Sequence, residues 1–326
     1  MSQPTLASFD DAAPDHDEFL REVLTGLGGE RKALPAKFFY DERGSNLFHE
    51  ICATPEYYPT RTEVALLSRI SGELADLIGS RCCLMEYGTG SSEKMRIVLD
   101  ALDEPAAYVA VDISREHLLS TAKALAADHP DIDVHAVCAD YSKPFRIPPI
   151  GNQPVGRCVA FFPGSSLGNF EPPMARDFLA TTMGVVGHDG GMLIGIDLKK
   201  DEAILNAAYN DAQGVTAAFN LNLLVRINRE LNGTFDLGTF RHRAFYNSAQ
   251  GRIEMHLDSL TDQSVTVAGR LFRFRRGESI HTENSYKYTV PEFRALARRA
   301  GFRPLRAWAD PDNLFSIHYL AVPAGV

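Results

Sequence analysis

The run LMEYGTGSSEK at 84–94 restricts the fold more than any other stretch of this 326-residue chain. Apolar residues end in an acid, a Gly-x-Gly turn follows, and helical spacing begins in SEKMRIVLDAL at 92–102. A strand that turns through glycines into a helix reads as the first crossover of a parallel sheet. In such sheets ligands sit beyond the carboxyl ends of the strands. The same rhythm continues downstream. YVAVDIS (108–114), IDVHAVCAD (132–140), CVAFFPG (158–164) and GGMLIGIDL (190–198) read as strands. EHLLSTAKALAADHP and MARDFLATTMGVV read as the helices among them. The alternation predicts right-handed crossovers and a doubly wound α/β sheet.

The C-terminus breaks that rhythm. After a helix in PEFRALARRAGF, two strands follow in succession, RPLRAWAD and FSIHYLAVP, joined by Pro311-Asp312-Asn313. Proline, Asp and Asn supply turn chemistry. A parallel sheet that ends in an antiparallel pair resembles the class I methyltransferase form of the fold more than a plain dinucleotide dehydrogenase. Between 199 and 286 the alternation stops, and a long helical stretch leads into β-rich sequence. The expected organisation is a sheet domain of 61–198 with 286–326. A smaller α+β substrate-binding lid of 21–60 with 199–285 joins it, and 1–20 forms an N-terminal segment.

Composition removes some functions. A formal net charge of -9 argues against a nucleic-acid surface, which requires a basic face. RLFRFRR (270–276) is the one basic candidate, and its alternation reads as a strand with a solvated face. Five cysteines, an odd number with no C-x-x-C, fit buried free thiols in a reducing compartment. No apolar run approaches membrane-spanning length, and the acidic first twenty residues are unlike a signal peptide. The default expectation is a cytoplasmic monomer with no membrane or nucleic-acid partner.

The glycine loop carries the cofactor argument. Gly88 and Gly90 allow a sharp turn and a close ligand approach. A dinucleotide fold wants a small third residue at position 93, and this chain has Glu93. A pyrophosphate finds Glu86 and Glu93 repulsive, whereas a sulfonium tolerates acids. Lys94 pairs either with a cofactor carboxylate or with one of those acids. Asp112 ends the second strand, where an acid accepts ribose hydroxyls, and Asp140 ends the third, within reach of an adenine amino group. An Asp after a strand is as often a helix cap. On three consecutive strand ends, however, the set favours S-adenosyl-L-methionine (SAM) over NAD.

Five blocks then give a closer match: EYGTGSSEKMR, FFPGSSLGNF, AYNDAQGVTAAFN, FFYDERGSNLFHEICATPEYYPTRTE and RIEMHL. Together they resemble the SAM-dependent L-histidine Nα-methyltransferase family of ergothioneine biosynthesis, from about residue 31 to the C-terminus. The resemblance implies trimethylation of the histidine α-amine to hercynine; relatives in the wider family act on tryptophan derivatives. It implies SAM near Gly88, Lys94, Asp112 and Asp140, with Tyr141 beside the adenine and Tyr40 close by. It implies that Asn169 and Tyr209 hold the substrate carboxylate, and that the amine lies near Tyr40, Tyr57 and Gly164. It implies that Glu283 and Ser285 read the imidazole, with Met255 alongside. Pro163 and Tyr87 are visible departures beside functional positions.

The chemistry suits those residue types. Methyl transfer to an amine is an in-line displacement that needs a neutral lone pair, so positioning and desolvation dominate. A tyrosine hydroxyl orients an amine, and its ring face accommodates a methylated cation. Read without the family, Tyr40, Tyr57 and Tyr209 are packing residues and Asn169 is a turn residue. Tyr40 acts as a base only with a depressed pKa; binding the amine already neutral is the alternative. A carboxylate such as Glu283 accepts an imidazole N–H, and Ser285, two residues on, faces the same side of a strand. The ten histidines form no H-x-x-x-H pair, and PGSSLG lacks a G-x-S-x-G elbow, so metal and hydrolytic readings find no support.

Overall fold

The apolar runs become one eight-stranded sheet in the computed structural model, which describes residues 6–12, 16–90, 92–143, 145–151 and 155–324. In chain order the strands are β1 (Ser8–Ala12), β2 (Cys83–Tyr87), β3 (Ala107–Asp112), β4 (Asp133–Ala139), β5 (Cys158–Phe162), β6 (Gly191–Asp197), β12 (Arg303–Ala309) and β13 (Phe315–Ala321). They lie in the order β1-β4-β3-β2-β5-β6-β13-β12. Pairing is parallel from β1 through β6, and β13 runs antiparallel to both β6 and β12. This is the class I methyltransferase arrangement expected from the sequence.

Every residue of β2, β3 and β6 is buried, as sheets covered by helices on both faces require. The covering helices include α3 (Tyr58–Ile78), α4 (Ser92–Ala101), α5 (Arg115–Asp128), α6 (Pro172–Val186) and α9 (Val290–Arg299). The apolar stripes of α3, α4 and α5 join the strands in a core containing Leu67, Leu74, Leu84, Tyr108, Leu193 and Phe315. Strand order reverses at β2: the chain first builds outward through β3 and β4, then returns to β5 on the other side. The carboxyl ends of β2 and β5 therefore flank the switch point where ligands bind in open α/β sheets.

The N-terminal segment departs from expectation. Ser8–Ala12 adds a parallel edge strand to β4, and a helix, α1 (His16–Gly28), starts at residue 16. SFDDA has little apolar character, so no periodicity announces it. The backbone ladder holds it instead, with Arg115 on Asp11 at 2.8 Å and Ser8 on His135 at 2.9 Å.

The chain divides into two compact units. One comprises Met1–Ala13, Pro59–Lys199 and Lys287–Val326; the other comprises Pro14–Tyr58 and Lys200–Tyr286. The second contains α1, α2 (Glu42–Ala53), α7 (Glu202–Ala208) and α8 (Val215–Glu230). It also holds a three-stranded antiparallel sheet of β7 (Phe240–Asn247), β8 (Arg252–Ser259) and β11 (Ser279–Tyr286), in the order β11-β8-β7. A separate hairpin joins β9 (Gln263–Val267) to β10 (Arg270–Phe274). In β10 Phe272 and Phe274 are buried while Arg270 and Arg273 face solvent, the alternation seen in RLFRFRR. No helix among the described residues is long and apolar enough to cross a membrane.

Candidate active site

In the sheet unit Gly88, Asp112, Asp140 and Gly164 stand at the carboxyl ends of β2, β3, β4 and β5. Gly88 adopts φ +79°, a conformation that strains residues bearing a Cβ. An added Cβ at Gly88 or Gly90 meets no atom within 4 Å, so the loop borders open space. Asp112 staples that loop: its Oδ2 accepts from the Thr89 amide at 2.7 Å and from the Thr89 hydroxyl at 3.1 Å. Its Oδ1 accepts from the Ser114 amide at 2.8 Å. A carboxylate has about four lone-pair sites, so Asp112 holds the turn with capacity remaining for a ribose. Asp140 turns the chain after β4 by accepting from the Ser142 amide at 3.0 Å.

Tyr141 packs against Tyr87 at 5.7 Å and Phe162 at 5.6 Å between ring centroids. Burial pushes its phenol up, and the Asp112 and Asp140 carboxylates add to the shift. Tyr87, a visible departure beside the glycine loop, is a core residue of the same aromatic cluster. Its hydroxyl accepts from Thr182 at 3.3 Å.

Lys94 takes a partner that the sequence reading did not consider. Its ammonium lies 2.6 Å from Glu63 of α3, and both side chains are buried. It pairs with neither Glu86 nor Glu93. The Glu63 carboxylate also accepts the Gly164 amide through both oxygens, at 3.0 and 2.9 Å. One carboxylate thus ties the first turn of α4 to the loop after β5, where Gly164 has φ +74°. Asn169 closes the 3-10 turn Ser166–Asn169 that follows. Glu63 lies inside PEYYPTRTE, and that block was its only signal.

Glu86, expected from the sequence to repel a pyrophosphate, is not a charge beside the glycine loop. Its side chain points into the core, where Oε2 accepts the Tyr108 hydroxyl at 2.6 Å. Its Oε1 finds no hydrogen-bond partner among the described residues. Burial drives its pKa up to about 8, with Asp112 and Glu63 adding to burial against Tyr108 and Lys94. The group is neutral near pH 7 and repels no anion. Between its ordinary value of 4.5 and about 8 the folded chain holds a proton that the unfolded chain releases. Stability from this group therefore falls as pH rises through that window. Glu86→Gln should remove that fall. Melting temperatures of both proteins at about pH 5 and about pH 9 check it, the variant being expected to lose less on going to the higher pH.

In the second unit the aromatic residues converge. Tyr40 packs edge-on against Phe48 and Phe219, each at 5.7 Å. Tyr57 lies 6.2 Å from Phe48 and 6.4 Å from Tyr209. Asp41, the N-cap of α2, fixes the chain just after Tyr40. It accepts from Gly44 at 2.7 Å, Asn222 at 2.8 Å and Arg229 at 2.7 Å. Burial alone would raise the Asp41 carboxyl, but these donors outweigh it and hold the group below its usual range.

Glu283 and Ser285 reach the Met255 side of the sheet through a β-bulge. His281 pairs with His256, and after a register shift Glu283 pairs with Met255 and Ser285 with Ile253. An unshifted strand would put Thr282 opposite Met255 and turn Glu283 to the other face. The Tyr209 hydroxyl donates to Ser285 Oγ at 2.8 Å.

Two residues missed in the sequence brace this arrangement. Buried Asn220 of α8 donates to the His256 carbonyl at 3.0 Å and to His242 Nδ1 at 2.9 Å, and it accepts the Thr282 hydroxyl at 2.8 Å. His242 Nε2 then donates to the Tyr209 carbonyl at 2.9 Å. Burial holds His242 below its usual pKa, which keeps the ring neutral and the relay in one tautomer. Asn220 closes the GVTAAFN block.

Residues 19–322 match the family model described as "Histidine-specific methyltransferase, SAM-dependent". The chain is 39% identical over 319 residues to the histidine N-alpha-methyltransferase of Mycolicibacterium smegmatis, covering 96% of this chain and 98% of that protein. It is 39% identical over 311 residues to that of Mycobacterium tuberculosis, covering 94% and 95%. Ergothioneine biosynthesis protein 1 of Neurospora crassa is 32% identical over 299 residues, which span 89% of this chain and 33% of that larger protein. With SAM as its cofactor and an N-methyltransferase's fold, the chain belongs to the SAM-dependent, histidine-specific methyltransferase family.

Proposed function

We propose that the chain methylates the α-amino nitrogen of L-histidine, and that three rounds give N,N,N-trimethylhistidine (hercynine), the first step of ergothioneine biosynthesis. The observation that carries this reading is the bulge that sets Glu283 and Ser285 on the Met255 side of the sheet. A neutral imidazole offers one N–H donor and one bare nitrogen. Glu283 would accept the first, and Ser285, whose oxygen accepts the Tyr209 hydrogen bond, would donate to the second.

When bound, SAM supplies an electrophilic methyl group on a sulfonium. Asp112 would accept its ribose hydroxyls, Asp140 and Tyr141 would flank its adenine, and the open side of the Gly88–Gly90 turn would admit its backbone-hugging portion. Lys94 would meet its carboxylate with the donors that Glu63 leaves over. Asn169 would hold the carboxylate of histidine, joined by Tyr209 as its single O–H turns from Ser285 to the substrate, with Tyr40, Tyr57 and Gly164 around the amine. Each round leaves the nitrogen cationic, so a proton must depart before the next. Tyrosine rings keep their attraction for the amine after methyl groups have replaced its donors.

Mass spectrometry of the protein with SAM and a mixture of the twenty amino acids tests the reading. Histidine alone should gain three methyl groups. Methylation of tryptophan in preference to histidine, or of neither, would remove it.

A further inference from the structure

Glu254, His256 and His281 bring their side-chain ligand atoms within 4.8 Å of one another on the opposite face of the β7–β8–β11 sheet from Glu283. The cluster invites a metal, but its geometry is that of a stack. The His256 and His281 rings lie 4.7 Å apart and only 16° from parallel, and Phe245 stacks on His256 at 5.6 Å. Lone pairs of parallel rings run side by side and do not converge on one ion. Glu254 is already committed: it accepts from Arg252 and Asn247 at 2.9 Å each, and from His256 Nε2 at 3.1 Å.

The stack ends on the bulge. His281 Nε2 donates to the Glu283 carbonyl at 3.0 Å, spanning the two residues between which the register shifts. The backbone of His281 is fixed from the other side, since its amide donates to the Lys32 carbonyl and its carbonyl accepts from Leu34, both at 2.9 Å. Ring, backbone and register thus meet at one residue. We infer that His281 is a positioning residue for substrate recognition: its ring, held by the His256 stack, braces the bulge that turns Glu283 to the Met255 face. This deepens the proposed reading and rests on it, because the brace matters to binding only if Glu283 reads the imidazole.

The test compares His281→Phe, which keeps a stacking ring and loses the donor, with His281→Gln, which keeps an N–H and loses the ring. L-Histidine affinity is measured by calorimetry in the presence of S-adenosylhomocysteine, beside steady-state kinetics. His281→Phe should weaken histidine binding and raise its KM about tenfold, the effect of one ordinary hydrogen bond. The kcat and the KM for SAM should stay near wild type, and His281→Gln should recover part of the loss. If His281→Phe does not fold, His281→Leu replaces it in the comparison. Wild-type histidine affinity in the donorless variant, with a loss in Glu283→Ala, overturns the brace alone. Wild-type affinity in both overturns the substrate reading as well. Parallel losses in kcat and in KM for SAM would make His281 a general structural residue and also overturn the inference.

Discussion

Replacing Glu283 by alanine should lower kcat/KM for L-histidine by roughly 10²-fold, equivalent to about 2.7 kcal/mol of lost transition-state stabilisation. The physical basis is an asymmetry of buried hydrogen bonds. A site built to pair with a ring N–H loses little when both partners are absent, but much when one remains unpaired in a dry pocket. In Glu283→Ala the imidazole keeps its donor and finds no acceptor beside Met255. Most of the loss should appear in KM, because ring recognition is present in the ground state and the transition state alike. Steady-state kinetics of wild type and variant with L-histidine measure the loss. Unchanged histidine kinetics would leave the substrate assignment without its basis.

The sheet was legible because each of its central strands is a short, largely apolar run bounded by turn residues. Gly88, Asp112 and Asp140 announced themselves by standing where such runs end. Ser8–Ala12 was not legible, since a polar edge strand is held by backbone pairing and carries no apolar pattern. Glu86 shows a different limit. Its position beside the glycine loop suggested a charge near the ligand, yet strand alternation aims it into the core, where it is neutral near pH 7. Lys94 could be assigned a carboxylate but not the right one, because Glu63 comes from a helix 31 positions earlier.

The second unit resisted for a further reason. Glu283 and Ser285 share a face with Met255 only because the strand slips by one between His281 and Glu283, and a slip leaves no mark on composition. Asn220 and His242 act through backbone carbonyls, so neither reads as functional until those carbonyls have positions.

Lys287→Met should cost about 3–5 kcal/mol of stability, the range for removing one partner of a buried ion pair. Lys287 and Asp197 are 2.7 Å apart, and neither side chain has any solvent exposure. Asp197 is the last residue of β6, and its carbonyl accepts the Tyr288 amide at 3.3 Å. The pair therefore fastens the chain to the carboxyl end of β6 just where it re-enters the sheet unit, next to the Leu198–Tyr288 bridge. With the ammonium gone, the carboxylate must either stay charged in an apolar site or take up a proton, and both cost free energy. The double variant Lys287→Met with Asp197→Leu removes both charges and should regain most of the loss, since a matched apolar pair is often as stable as a buried ionic one. Chemical denaturation of wild type, single and double variants measures this directly. Because the pair is fully buried, the loss in the single variant should be insensitive to added salt. A single-variant loss under about 1 kcal/mol, or one that salt abolishes, is the size and behaviour of an exposed pair and would contradict the burial of this one.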